Sequence, residues 1–225
     1  MNRGFFISIE GLDGAGKSTQ HALLAKHLAE NGEKVLPLRE PGATDVGEKI
    51  RAILKDKTFQ HPPAAEVELL LFLASRAQLV RERIMPALQS GYVVLCDRFI
   101  DSTIAYQCGG RGISSKSISA LHRFASGGLV PDLTILLDLA PEEGFRRINI
   151  GRKTALDRIE EQSMDFFRRV HKSYGRIAIK NPQRVVVLDG SLPPDSIGEK
   201  VRTTVCERIY RFRNDVNRSM RGPAI

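Results

Sequence analysis

The sequence predicts an α/β fold, a five-stranded parallel sheet flanked by helices in a single domain over residues 1–225, and three observations predict it. Five short apolar runs, at residues 5–9, 35–38, 92–96, 133–137 and 185–188, are dense in Val, Ile and Leu without polar alternation, as strands covered on both faces are. Longer helical patterns separate the runs, which implies βαβ units, a parallel sheet and right-handed crossovers. No linker-like stretch divides the 225 residues, a length that suits one domain of this kind.

Taken in order, the first run starts at Phe5 with no basic segment or cleavable apolar stretch ahead of it, so no secretory signal is expected. A glycine-rich loop at residues 11–18 follows and opens into a helix that is expected to stop near Gly32. Residues 39–63 form a long connection with Pro41, Gly42, Pro62 and Pro63, holding a short helix around residues 46–54. The longest apolar run, residues 69–74, is far too short to span a bilayer. Pro141 suits the first turn of another helix, and residues 149–157 carry Gly151, Arg152 and Lys153 between two helices. Long connections in a compact domain are usually functional.

Charge and cysteine content narrow the setting. Residues 200–225 hold seven basic and two acidic residues, so +5 of the net +8 lies in this tail and the remainder is close to balanced. Arg208, Arg211 and Arg218 read as a solvated helix face running into a frayed basic tail at about 211–225. A polyanion-binding tail is the other reading, but the interleaved aromatics of a base-stacking surface are missing, and no nucleic-acid partner is expected. Cys96, Cys108 and Cys206 are scattered without metal-ligand spacing, which suits reduced thiols in a cytoplasmic protein.

The loop Gly11-Leu12-Asp13-Gly14-Ala15-Gly16-Lys17-Ser18, followed by Thr19, has the phosphate-binding pattern Gly-x-x-x-x-Gly-Lys-Ser between a strand and a helix. Its glycines allow positive φ and bring backbone N–H groups against phosphate oxygens. Lys17 supplies a compact charge for the β and γ phosphates, and the Ser18 hydroxyl suits magnesium. Such a loop binds ATP or GTP without fixing the reaction. The guanine-reading Asn-Lys-x-Asp of switch GTPases is missing, and the third run ends Cys96-Asp97-Arg98-Phe99. Asp97 is a second candidate magnesium ligand, and Arg98 a grip for an anionic acceptor. Alternatively Asp97 and Arg98 form an ion pair that closes the strand.

Further elements fall into one order: Glu10 to Thr19; Arg39-Glu40-Pro41-Gly42; Leu71 to Arg76; Asp97-Arg98-Phe99; Ser102; Ala105-Tyr106-Gln107; Gly109-Gly110-Arg111-Gly112; and Leu156-Asp157-Arg158-Ile159-Glu160. With these marks the chain resembles the thymidylate kinase family, from the first strand to about residue 190. The resemblance implies a P-loop nucleoside monophosphate kinase fold, transfer of the ATP γ-phosphate to dTMP with magnesium, and a homodimer. Phe72 and Arg76 are four apart and share a helix face. The family uses these positions for the thymine base, while the run alone favours a core role for Phe72. The resemblance further implies that Arg98 contacts the dTMP phosphate, with Arg39 as a second candidate. It places Asp13 near the deoxyribose 3′-hydroxyl and Tyr106 near the 2′ carbon. Ser102 joins this acceptor set, and Thr103 and Gln107 are candidates for the base or ribose, or else ordinary helix polar residues. The basic segment at about 146–158, with Arg146, Arg147, Arg152, Lys153 and Arg158, matches the family's mobile LID. Some members carry a catalytic arginine where this chain has Gly14. With glycine there, Arg152 and Lys153 are the leading catalytic candidates beside Lys17, Asp97 and Arg98, and Arg158 is next. Ala43 replaces a frequent glycine and is expected to stiffen the turn after Gly42.

Overall fold

The computed structural model describes residues 3–151 and 156–220. The five apolar runs become β1 (Phe5–Gly11), β2 (Val35–Arg39), β3 (Val93–Asp97), β4 (Leu133–Asp138) and β5 (Val185–Asp189), all parallel, in the order β2-β3-β1-β4-β5. Every residue of β1 is buried, and β3 and β4 are buried except at their last residues. The two-face burial expected of all five runs fails for β2 and β5. In β2 only Leu38 is buried, and in β5 only Val185 is. Both strands lie at the edges of the sheet. Pro37, which has no N–H to donate, sits in such an edge strand.

Each face of the sheet is closed by helices whose apolar residues recur at helical spacing. On one face Ile7, Ile9, Leu95, Ile135 and Leu137 meet Leu24 and Leu28 of α1 (Lys17–Glu30) and Ile197, Val201, Val205 and Ile209 of α9 (Pro194–Met220). On the other, Phe6, Val94 and Cys96 meet Leu69, Leu73 and Leu79 of α3 (Ala65–Leu79) and Ile118 of α6 (Ser115–Ser126). Each fully buried Leu or Ile of this kind contributes about 1.5–3 kcal/mol relative to exposure. Between β2 and α3 lies α2 (Asp45–Lys55), whose first turn is capped by Thr44 accepting from Gly47 N at 3.0 Å. After α3 the chain runs on through a π-helical turn (Val80–Ile84) into α4 (Met85–Gln89). After β3, α5 (Ile100–Thr103) continues into a second π-helical segment (Ile104–Gly110). Beyond β4 come α7 (Pro141–Gly151), begun by Pro141 as expected, and α8 (Met164–Lys180).

The basic end differs from its sequence reading. α9 extends past residue 211, and Phe212 packs its ring 5.0 Å from that of Phe5. Arg213 pairs with Glu33 at 2.6 Å. One side of this helix is core, set by Val201, Val205 and Ile209 at intervals of four, while Arg211 stands on the expected solvated face; the helix runs on to Met220 instead of fraying from 211.

The topology sets the site. β1 lies between β3 and β4, and the pairing Ile9↔Asp97 brings the loop after β1 beside the Asp97-Arg98 turn after β3. Such a crevice at the carboxyl ends of parallel strands is where α/β sheets bind ligands.

Candidate active site

A cavity of about 400 Å³ opens at this point, within the size range of small-molecule sites. The phosphate loop forms one end of it through Asp13, Gly14, Gly16, Lys17, Ser18 and Thr19. Gly11, Leu12 and Ala15 are not on its wall. The Leu12 and Ala15 side chains turn into the two apolar cores, and the Leu12 carbonyl accepts from Lys17 Nζ at 2.8 Å. Gly14 and Gly16 have φ of 83° and 89°, as expected of the loop. A Cβ on Gly14 would lie 2.4 Å from the carbonyl oxygen of Gly144 in α7. With that helix so close, position 14 has no room for an arginine.

Ser18 and Asp97 meet at the loop's mouth, where the hydroxyl donates to Asp97 Oδ2 at 2.7 Å. Arg98 does not pair with Asp97, so the strand-closing ion pair is excluded. Its guanidinium binds Asp13 Oδ1, donates to Gly11 O at 3.2 Å and Ser102 Oγ at 3.1 Å, and stacks 5.2 Å from the Tyr106 ring. Arg98 has a φ of 73°, unusual for a side-chain-bearing residue and characteristic of functional turns. Burial is the largest influence on its guanidinium and works against the charge, but Asp13 and the neighbouring groups hold it well above its ordinary value.

Asp13 is not a solvent-facing loop residue. It receives hydrogen bonds from Arg98, from Tyr106 Oη at 3.1 Å and from Lys17 Nζ at 3.4 Å. Burial works to raise its carboxyl, yet Arg98 and Lys17 together lower it far below the carboxylate range. The Lys17 ammonium is lowered, first by burial and then by the charge of Arg98. Beneath them, buried Glu10 accepts from Ser102 Oγ at 2.6 Å, Phe99 N at 2.7 Å and Tyr174 Oη at 3.1 Å. Burial, followed by the charge of Asp101, pushes the Glu10 carboxyl up to about 7.

α3 supplies Phe72 and Arg76 to the same cavity wall. Phe72 is half-buried on the wall and stands outside the apolar clusters, so its core reading fails. Arg76 is buried and held from several sides. It makes a fork with Glu40 (Nε–Oε2 2.9 Å, Nη2–Oε2 2.7 Å), donates to Thr103 Oγ1 at 2.9 Å and lies 4.8 Å from the Phe99 ring centroid. Its Nη1 is buried without a partner among the described residues. A buried guanidinium N–H left over on a cavity wall is a donor for whatever the cavity binds. Thr103 is thus no ordinary helix polar residue, because its hydroxyl helps to aim Arg76.

All nine acceptor-side candidates, Asp13, Arg39, Phe72, Arg76, Arg98, Ser102, Thr103, Tyr106 and Gln107, lie on this one wall. Arg39 stands at its rim, paired with Glu48 at 2.9 Å. Arg152 and Lys153 lie outside the described residues. Arg158 is not on the wall; it bonds Glu68 Oε2 at 2.7 Å and Leu54 O at 3.2 Å. Arg146 and Arg147 both pair with Glu143 on α7.

Sequence reasoning missed Glu40, Arg51, Asp157 and Glu160 as wall residues. Arg51 donates to Pro41 O at 2.9 Å, and burial and then nearby Arg39 lower its guanidinium below its ordinary value. Cations crowded this way favour an anion among them. A signal was available, since Arg51 sits three residues before Leu54 on a helix placed in the long connection.

Comparison with known proteins agrees with this geometry. The family model for thymidylate kinase matches residues 9–201. The thymidylate kinase of Thermomicrobium roseum is 46% identical over 209 residues, 93% of this chain and 98% of its own length. That of Kosmotoga olearia is 45% identical over 196 residues, 87% of this chain and 92% of its own. That of Deinococcus radiodurans is 43% identical over 208 residues, 92% and 99%. With a phosphate loop and a spare guanidinium donor lining one cavity and relatives of this extent, the chain belongs to the thymidylate kinase family.

Proposed function

We propose that the chain transfers the γ-phosphoryl group of ATP to dTMP, giving dTDP and ADP. The observation that carries this reading is that half-buried Phe72 and Arg76, whose Nη1 is buried without a partner among the described residues, share one cavity wall with Lys17. An aromatic face and one guanidinium donor suit a flat ring bearing a carbonyl, such as the thymine 4-carbonyl. Arg98 and Arg39 take the acceptor phosphate between that ring and the phosphate loop. Tyr106, anchored to Asp13, packs against the deoxyribose and leaves no room for a 2′-hydroxyl.

A dTMP phosphate oxygen attacks the γ-phosphorus in line, the bond to the β–γ bridging oxygen breaks, and ADP leaves. No covalent enzyme intermediate is needed. The attacking oxygen is already ionised, so no general base is needed either. Lys17 offsets charge on the β and γ oxygens, and Arg152 and Lys153 supply further positive charge from the LID. Magnesium neutralises phosphate charge when bound, and the Ser18 hydroxyl and Asp97 carboxylate are the groups to hold it. Two oxygen donors at the loop's mouth fit a hard cation that takes its other ligands from phosphates and water, and no cluster of three or more acidic, His or Cys residues occurs among the described residues.

The homodimer rests on the family resemblance and on apolar side chains that α3 and α6 leave exposed, Leu70 and Phe124 among them. The cytoplasmic setting rests on the reduced-thiol reading; no helix among the described residues is long and apolar enough to cross a membrane. Phosphorus NMR of the protein with ATP, dTMP and magnesium tests the reaction. ADP and dTDP should accumulate in equal amounts, and ADP with inorganic phosphate instead of dTDP would reject phosphoryl transfer to dTMP.

A further inference from the structure

Glu68 stands in the first turn of α3, one and two turns ahead of Phe72 and Arg76 on the same helix face. It is buried and is absent from the cavity wall. Its two oxygens collect four donors from three residues in two parts of the chain. Gln107 Nε2 reaches Oε1 at 3.1 Å, Arg111 reaches Oε1 at 3.1 Å and Oε2 at 3.0 Å, and Arg158 reaches Oε2 at 2.7 Å.

An ionised carboxylate only accepts hydrogen bonds, so the Gln107 amide must turn its NH2 toward Glu68. Although Glu68 is buried, its arginine partners hold its carboxyl below the usual value, which keeps it in that acceptor-only form. The Gln107 Oε1 is then turned away from Glu68, and among the described residues no donor reaches it. Gln107 itself is on the cavity wall, four residues after Thr103, whose hydroxyl accepts from Arg76 at 2.9 Å.

We propose that Glu68 is a positioning residue: it locks the Gln107 amide with its oxygen presented to the cavity as an acceptor, beside the Arg76 donor. This rests on the pyrimidine reading of the cavity and deepens it. A neighbouring donor and acceptor on the wall match a ring edge with a carbonyl next to a ring N–H, as in thymine and uracil. They oppose the amino group and bare ring nitrogen of cytosine. Glu68 thereby selects the imide pyrimidines without touching them.

Glu68→Gln tests the lock, because an amide at 68 can donate or accept and so frees Gln107 to turn over. The dTMP-over-dCMP ratio of kcat/KM should fall about tenfold or more, with KM for ATP unchanged. In a Gln107→Met background, Glu68→Gln should change that ratio no further, since the group it orients is gone. Glu68→Asp, which keeps the charge for Arg111 and Arg158, should stay folded and retain most of the selectivity. An unchanged ratio in folded Glu68→Gln, additive effects in the double variant, or loss of fold in both Glu68 variants would each overturn the proposal. Wild-type turnover of dTMP is the control: its absence would reject the activity itself, and its presence confines a failure to the role of Glu68.

Discussion

Replacing Glu40 by glutamine removes the counter-charge of Arg76, the largest fully buried side chain among the described residues. Arg76 and Glu40 have side-chain exposures of 2% and 4%, so solvent cannot take over when the pair is broken. Losing one partner of a buried pair typically costs about 3–5 kcal/mol, because the other charge stays buried and arginine cannot shed its proton. The glutamine oxygen still accepts one hydrogen bond and Thr103 remains, which puts the expected loss near the lower figure, about 3 kcal/mol. For a chain of this length that corresponds to a fall in Tm of about 6–12 °C. Thermal unfolding by circular dichroism reads this directly. The double variant Glu40→Leu/Arg76→Met should recover at least about half of the stability, since apolar residues of similar volume replace such pairs at little cost. It should not recover dTMP affinity, because the Nη1 donor is gone. A drop below about 2 °C in Glu40→Gln would refute the burial argument, and wild-type dTMP affinity in the double variant would refute the donor role of Arg76.

Glu10 should make stability depend on pH. Its folded carboxyl sits at about 7 against an ordinary 4.5, so between those values the folded state holds the extra proton and stability falls as pH rises. The cost is complete above about pH 7 and amounts to about 3 kcal/mol. His122, buried and lowered from 6.5 to about 4, acts with the opposite sign, so the wild-type profile is partly flattened. The readout is therefore the difference between wild type and Glu10→Gln in urea unfolding from pH 4 to 8, and a difference that does not change with pH would reject the assignment. Arg152→Ala and Lys153→Ala should each lower kcat about 100-fold with little change in KM for dTMP; a rise in KM alone would move these residues out of the transition state. Gly14→Ala should weaken ATP binding and lower Tm, because its Cβ meets Gly144 O at 2.4 Å and its φ of 83° disfavours a side chain. Unchanged calorimetric affinity for ATP would show that the loop and α7 yield freely.

How much was legible in the sequence follows from the range of the interactions involved. The phosphate loop is local chemistry, eight consecutive residues between a strand and a helix, and the structure keeps its order intact. The five strands were legible from apolar density. Their exposure was not, because position in the sheet is decided by pairing, and a run such as 35–38 carries no mark that it will be an edge. The solvated arginine face of α9 was legible, but its buried side was not drawn from the sequence, although Val201, Val205 and Ile209 repeat at intervals of four. Phe72 and Arg76 were placed by the family resemblance, since an aromatic within an apolar run by itself reads as core. The supporting carboxylates were out of reach. Glu40 meets Arg76 across 36 residues, and Glu68 meets Arg111 and Arg158 across 43 and 90. A lone acidic residue shows nothing of such partners until the chain is folded.

The central claim is that this cavity selects dTMP as acceptor, and initial rates of ADP release with a panel of acceptors test it most directly. With saturating ATP and magnesium, kcat/KM should be highest for dTMP. For dUMP it should be lower by only about 10–200-fold, the discrimination a single methyl group allows. Rates with CMP, UMP and dGMP should be lower still. No stimulation of ADP release by dTMP, or a higher kcat/KM for CMP or UMP than for dTMP, would contradict the account.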